Sequence, residues 1–161
     1  MDREKASLVA ALDTQREHVL GILDGLDDDA LHRSALPSGW TCAGMIGHLT
    51  LDVERFWFGA VIAGDPAARG DATFSAWTHG EQLTADALRE LYRDAIARAD
   101  EVIATTSLDA QPVWWPDTMS TWRLHDLREV LLHVTTETAC HAGHLDATRE
   151  LIDGQCWLVL D

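Results

Sequence analysis

Four side chains able to bind a cation recur within the stretch HVTTETACHAGHLDATRE: His133, Glu137, His141 and His144. Counted from the first, their offsets are 0, 4, 8 and 11. Steps of three and four residues return to nearly the same face of an α-helix, so the four form one stripe. Imidazole nitrogens and a carboxylate oxygen one turn apart can converge on a single cation. The same offsets also fit a polar stripe facing solvent, because spacing alone does not say which way a helix face points.

A cation needs donors from more than one direction, and His48 in GMIGHLTLDVERFWF offers one from a second, otherwise apolar helix face carrying Met45, Leu49 and Phe56. A histidine on such a face can equally be a hydrogen-bonded core residue. Asp52, one turn further on, can orient the His48 ring or stand in solvent. A helix presents two successive turns to one ion but not three. Ligation by Glu137 and His141 would therefore leave His133 and His144 as groups that orient ligands, face substrate, or add one further ligand. No HExxH stretch occurs, so zinc-protease chemistry is not indicated. The cysteines Cys42, Cys140 and Cys156 are odd in number and form no CxxC pair, which argues against a disulfide framework or a thiolate zinc site.

Periodicity and punctuation predict four helices to position these groups. The first spans about Glu4 to Leu26 and breaks at Asp27-Asp28-Asp29, read as a solvated turn, and at Pro37-Ser38-Gly39. Thr41 caps a second, from Cys42 to about Ala63, which carries His48. Thr84 caps a third, where Leu88, Leu91, Tyr92, Ala95, Ile96, Ala99, Val102 and Ile103 recur at three and four. Ser120 or Thr121 starts a fourth, which runs to Asp153 with Gly154 as its stop. Two long loops intervene, one with Phe74 and Trp77, the other with Trp114 and Trp115. Those last two either form an aromatic rim over the site or anchor their loop. The apolar tail, residues 155–161, reads as a packed extension. The expected fold is all-α, an antiparallel four-helix bundle with two long connecting loops, in a single domain over residues 1–161.

Composition narrows the function. The 27 acidic residues outnumber the 12 Lys and Arg and leave a formal charge of −15, a field that repels phosphate backbones and anionic lipid headgroups. Nucleic acid and membrane surfaces are thus not expected as partners. With no apolar run near the ~20 residues that span a bilayer and no secretory leader, the chain is expected in the cytoplasm.

GHLTLDVERFWF together with HVTTETACHAGHLDATRELIDG resembles the DinB-like four-helix superfamily, in the branch related to mycothiol-dependent maleylpyruvate isomerase. That resemblance implies a metal site at His48, Glu137 and His141. His144 stands where many relatives have Gln, and the isomerases carry a further C-terminal domain for which 161 residues leave no room. The resulting expectation is a divalent ion, zinc or nickel given the imidazole-rich ligand set. It would activate a low-molecular-weight thiol, mycothiol by association, for transfer to a small electrophile or for thiol-dependent isomerisation. The alternative is a non-enzymatic metal-binding or stress-response module. Exposed apolar helix surface and related proteins suggest a homodimer.

Overall fold

The computed structural model describes residues 2–70 and 75–157. Phe74 and residues 158–161 of the tail lie outside the described residues. Among the described residues every regular element is helical. Helix α1 (Arg3–Ile22) begins at Asp2, whose side chain accepts from the Lys5 amide at 2.8 Å. It ends four residues before the expected Leu26, because the chain turns there and its last carbonyls find another partner. Arg149 donates to the carbonyl oxygens of Ile22 and Asp24, satisfying groups that a helix end leaves open.

The acidic run is not a plain solvated turn. Asp27 caps a short helix α2 (Asp28–Leu31), and Asp28 accepts from the Ala85 amide at 2.7 Å, tying this corner to the start of a later helix.

The second expected helix has the predicted extent but two windings. Thr41 accepts from the Gly44 amide at 3.0 Å and caps α3 (Cys42–His48). The backbone then continues as a π-helix over Leu49–Ile62, and its wider bonding is visible in the Ala63 amide donating to Phe58 five residues back at 3.0 Å. Buried pairs recur there every four residues, Leu49 with Thr50, Val53 with Glu54, Trp57 with Phe58 and Val61 with Ile62. That spacing exceeds the α-helical 3.6, and the wider winding accommodates it.

The first long loop contains structure that periodicity did not reveal. A turn of 3-10 helix (Pro66–Ala68) is followed by α4 (Ala76–Gly80). At five residues α4 is too short to show a hydrophobic period. It packs backbone to backbone on α3: a Cβ on Gly47 would lie 2.3 Å from the Ala76 carbonyl oxygen, and one on Gly80 2.2 Å from that of Ala43. Glycine at both positions makes the approach possible.

Helix α5 (Ala85–Thr105) starts at Thr84 as expected and buries Leu88, Tyr92, Ala95, Ala99 and Ile103. A second 3-10 turn, Asp117–Met119, sits in the second long loop. Helix α6 (Leu127–Asp153) starts later than Ser120 or Thr121. Asp126 accepts from the Glu129 amide at 2.9 Å while Glu129 accepts from the His125 amide at 2.6 Å, a reciprocal cap that fixes the start. Gly154 closes α6 at φ 77°, as expected of a left-handed stop. Helix α1 packs along α6, and the π-helix packs on both α5 and α6. The shared core includes Leu12, Val19, Leu49, Phe58, Tyr92, Leu131 and Val134. His48 and the α6 stripe thus meet across the packed π-helix and α6.

Candidate metal centre

His48 ends the α-helical part of its helix, where the winding changes. Its Nδ1 lies 3.0 Å from Asp52 Oδ2. That contact fixes the ring and leaves Nε2 facing α6, 3.8 Å from Glu137 Oε1. On α6, His141 Nε2 lies 3.3 Å from the same carboxylate oxygen. One ligand atom from each of His48, Glu137 and His141 falls within 4.8 Å of the others. Two imidazoles and one carboxylate, drawn from two elements, therefore converge on one point.

The electrostatics of this cluster are unbalanced. Burial holds His141 below its ordinary imidazole value, the neighbouring His48 adds to that, and Glu137 opposes it. The neutral imidazole that results is the form that binds metal. His141 Nδ1 is buried with no hydrogen-bond partner, as is Nδ1 of His144. Glu137 touches both ring systems with one oxygen. A donor set of two imidazole nitrogens and one carboxylate oxygen fits a divalent cation of borderline character.

The remaining expected residues lie around the cluster. Of the two readings its spacing allowed, Asp52 takes the one against His48. The His144 ring is 5.6 Å from that of His141 and meets Trp40 edge-on at 5.3 Å. His133 is one turn before Glu137 but faces aromatic rings, with Trp57 at 4.7 Å and Trp122 at 5.2 Å. Burial holds His133 below its ordinary value, partly offset by Glu137. Trp115 joins this aromatic group, 5.8 Å from Trp57 and 5.7 Å from Trp122. Trp114 instead packs on Phe56 at 6.1 Å and carries Arg69 over its face at 4.7 Å. The two loop tryptophans thus part company, one in the group beside His133 and one on the outer side of the π-helix.

Two site residues escaped sequence reasoning. Trp77 stacks on His48 with centroids 4.8 Å apart and planes 16° from parallel, and Trp40 lies 5.1 Å from Trp77 and 6.1 Å from His141. Trp77 reaches His48 because α4 lies directly on α3 through Gly47 and Gly80. The only signal in the sequence was a tryptophan three residues before a glycine in a loop, which has no period to read. Trp40 immediately precedes the Thr41 cap, so the cap fixes where it enters. The cluster has aromatic walls on two sides, Trp40 and Trp77 on one and the group around His133 on the other.

The sequence matches the family model for mycothiol-S-transferase over residues 7–154. No curated protein and no solved structure matches it.

Proposed function

The chain belongs to the mycothiol-S-transferase family, and on that footing we propose that it joins mycothiol to a small electrophile at a divalent metal held by His48, Glu137 and His141. The observation that carries this reading is the convergence of three ligand atoms within 4.8 Å of one another, beside a buried and unpartnered His141 nitrogen. Zinc or nickel suits a donor set in which imidazole outnumbers carboxylate. A cation bound there would supply Lewis-acid lowering of a thiol's pKa, so that thiolate forms near neutral pH.

The chain's own residues do the rest. Asp52 holds the His48 ring so that Nε2 points inward, and Trp77 stacked on the ring resists its rotation. Trp40 and Trp77 shield one side of the cluster from water, which strengthens every electrostatic contact inside. His133, kept neutral by burial, can take up the thiol proton one turn from Glu137. The thiol sulfur loses that proton and forms the new bond to the electrophilic carbon. The bond to the leaving group breaks, and its electron pair departs with that group. Where the electrophile is an activated double bond, the pair moves to the adjacent carbon, which takes a proton.

In the same reading the four long helical spans form an antiparallel four-helix bundle, one domain over residues 1–161, working in the cytoplasm. Leu132 and Leu151, exposed on α6, support a homodimer. The test uses protein stripped with chelator, then given zinc, mycothiol and an aryl halide, with the S-conjugate followed by mass spectrometry. Conjugate should accumulate only when metal and thiol are both present. Accumulation no faster than without protein would overturn the proposal.

A further inference from the structure

Trp122 is a large aromatic residue left 44% exposed although it packs against Trp57, which is buried in the core. Its position is set by packing on its inner side: Trp115 lies 5.7 Å away, Trp57 5.8 Å and His133 5.2 Å. Trp115 is itself braced, its indole nitrogen donating to the Met119 carbonyl oxygen at 3.2 Å. The result is a rigid aromatic shelf with one open face. Arg123, which pairs with no carboxylate among the described residues, lies over Trp115 at 5.6 Å and brings hydrogen-bond donors to the shelf.

The shelf stands at a defined distance from the ligand cluster. His133 touches Trp122 and precedes Glu137 by four residues on α6, a rise of about 6 Å. Mycothiol is an N-acetylcysteine whose carbonyl is amide-linked to a glucosaminyl-inositol. Five bonds separate its sulfur from the glucosamine ring, roughly 6 Å when extended. A thiol placed at the cluster therefore carries its sugar rings over the shelf. Their flat, apolar C–H faces suit an indole face, and their hydroxyls suit a free guanidinium. Charge favours the same ligand. With a formal charge of −15, the protein repels thiols that carry carboxylates, whereas the sugars and amides of mycothiol are neutral.

We propose that Trp122, with Trp115 and Arg123, is the subsite for the pseudodisaccharide of the thiol, and so determines which thiol the protein accepts. The proposal rests on the thiol-transfer reading above, and it is tested by two measurements that separate the two. In the first, the zinc-loaded full chain is assayed with mycothiol and with N-acetylcysteine amide, which has the same neutral thiol and no sugar. Trp122→Ala should lower the ratio of kcat/KM for mycothiol to that for the amide by about tenfold, and Trp122→Tyr should restore part of it. An equal loss for both thiols, or no loss, would overturn the subsite. In the second, N-acetylglucosaminyl-inositol, which lacks sulfur, is titrated while the indole N–H signals are followed by NMR. The Trp122 signal, assigned with Trp122→Tyr, should shift in a saturable way with or without zinc. A Trp122 signal that stays put to millimolar fragment would also overturn it. Saturable shifts with no turnover of any thiol would sink the transfer reading and leave the sugar subsite standing.

Discussion

The polar cluster around Arg16 and the one around His48 are built to opposite ends. Between α1 and the π-helix, Arg16 and Glu54 are 2% and 1% exposed and meet as a two-point ion pair, with Nε and Nη2 each 2.7 Å from a carboxylate oxygen. The remaining Arg16 nitrogen bonds Asp13 at 2.9 Å and Asp100 at 2.8 Å. Burial disfavours the Arg16 charge, yet bonding to Glu54 and the pull of Glu54 and Asp100 hold it above its ordinary value. At the His48, Glu137 and His141 cluster the opposite holds: one carboxylate oxygen serves two rings, and the buried His141 Nδ1 has no partner. A saturated buried cluster holds a fold together. An unsaturated one holds room for a ligand.

The largest effect expected from this contrast is on stability. Arg16→Ala should cost about 3–5 kcal/mol, since it strands the Glu54 carboxylate in the core. Urea denaturation should show a lower midpoint at an unchanged slope; a loss under about 1 kcal/mol would mean that the pair is not the clamp its geometry implies. Next comes His141→Ala, which should weaken zinc binding by more than about 100-fold while the stripped variant unfolds near the wild-type midpoint. Collapse of the stripped variant would move His141 into the structural class. Asp52→Ala should weaken zinc by about 10–100-fold, because it frees the His48 ring without removing a ligand. Competition with a chromogenic chelator measures both.

Sequence and structure agree where a local period or a capping pair carried the signal. Spacing by four put Glu137 and His141 on one face and left Asp52 able to reach His48, and Thr41, Thr84 and Gly154 marked helix ends by their own chemistry. Arg16 and Glu54 were invisible as a pair because they are 38 residues apart, and each alone resembles an ordinary surface charge. The π-helical winding was not legible either, since it shows in the backbone bonding more than in any residue type. Helix α4, and with it Trp77 over His48, depends on the meeting of Gly47 and Gly80 across α3, a tertiary fact with no local period. His133 fell on the predicted stripe, but only the aromatic group shows that its partners are rings.

The smallest expected effect sharpens the contrast by pH. Burial holds folded His133 below 6.5, so the unfolded chain binds more protons in the interval between the two values. The stability this residue contributes is complete above pH 6.5 and is lost as pH falls through the folded value. In metal-stripped protein, His133→Phe should flatten the fall in stability between pH 7 and pH 5 by a few tenths of a kcal/mol up to about 1. An unaltered slope would show that folding does not disfavour the charged His133 ring. Arg16 stays charged throughout that range and adds no slope of its own; Arg16→Ala leaves Glu54 pushed up by burial with no cation to oppose it, so the deficit of that variant should shrink as pH falls.

The most direct test of the central claim is the zinc stoichiometry of three purified chains, measured by elemental analysis after dialysis against limiting zinc. Wild type and Arg16→Ala should each retain close to one ion per chain while folded, and His48→Ala should retain almost none. Equal retention by His48→Ala and wild type, or no retention by wild type, would contradict the assignment of the unsaturated cluster as the metal centre.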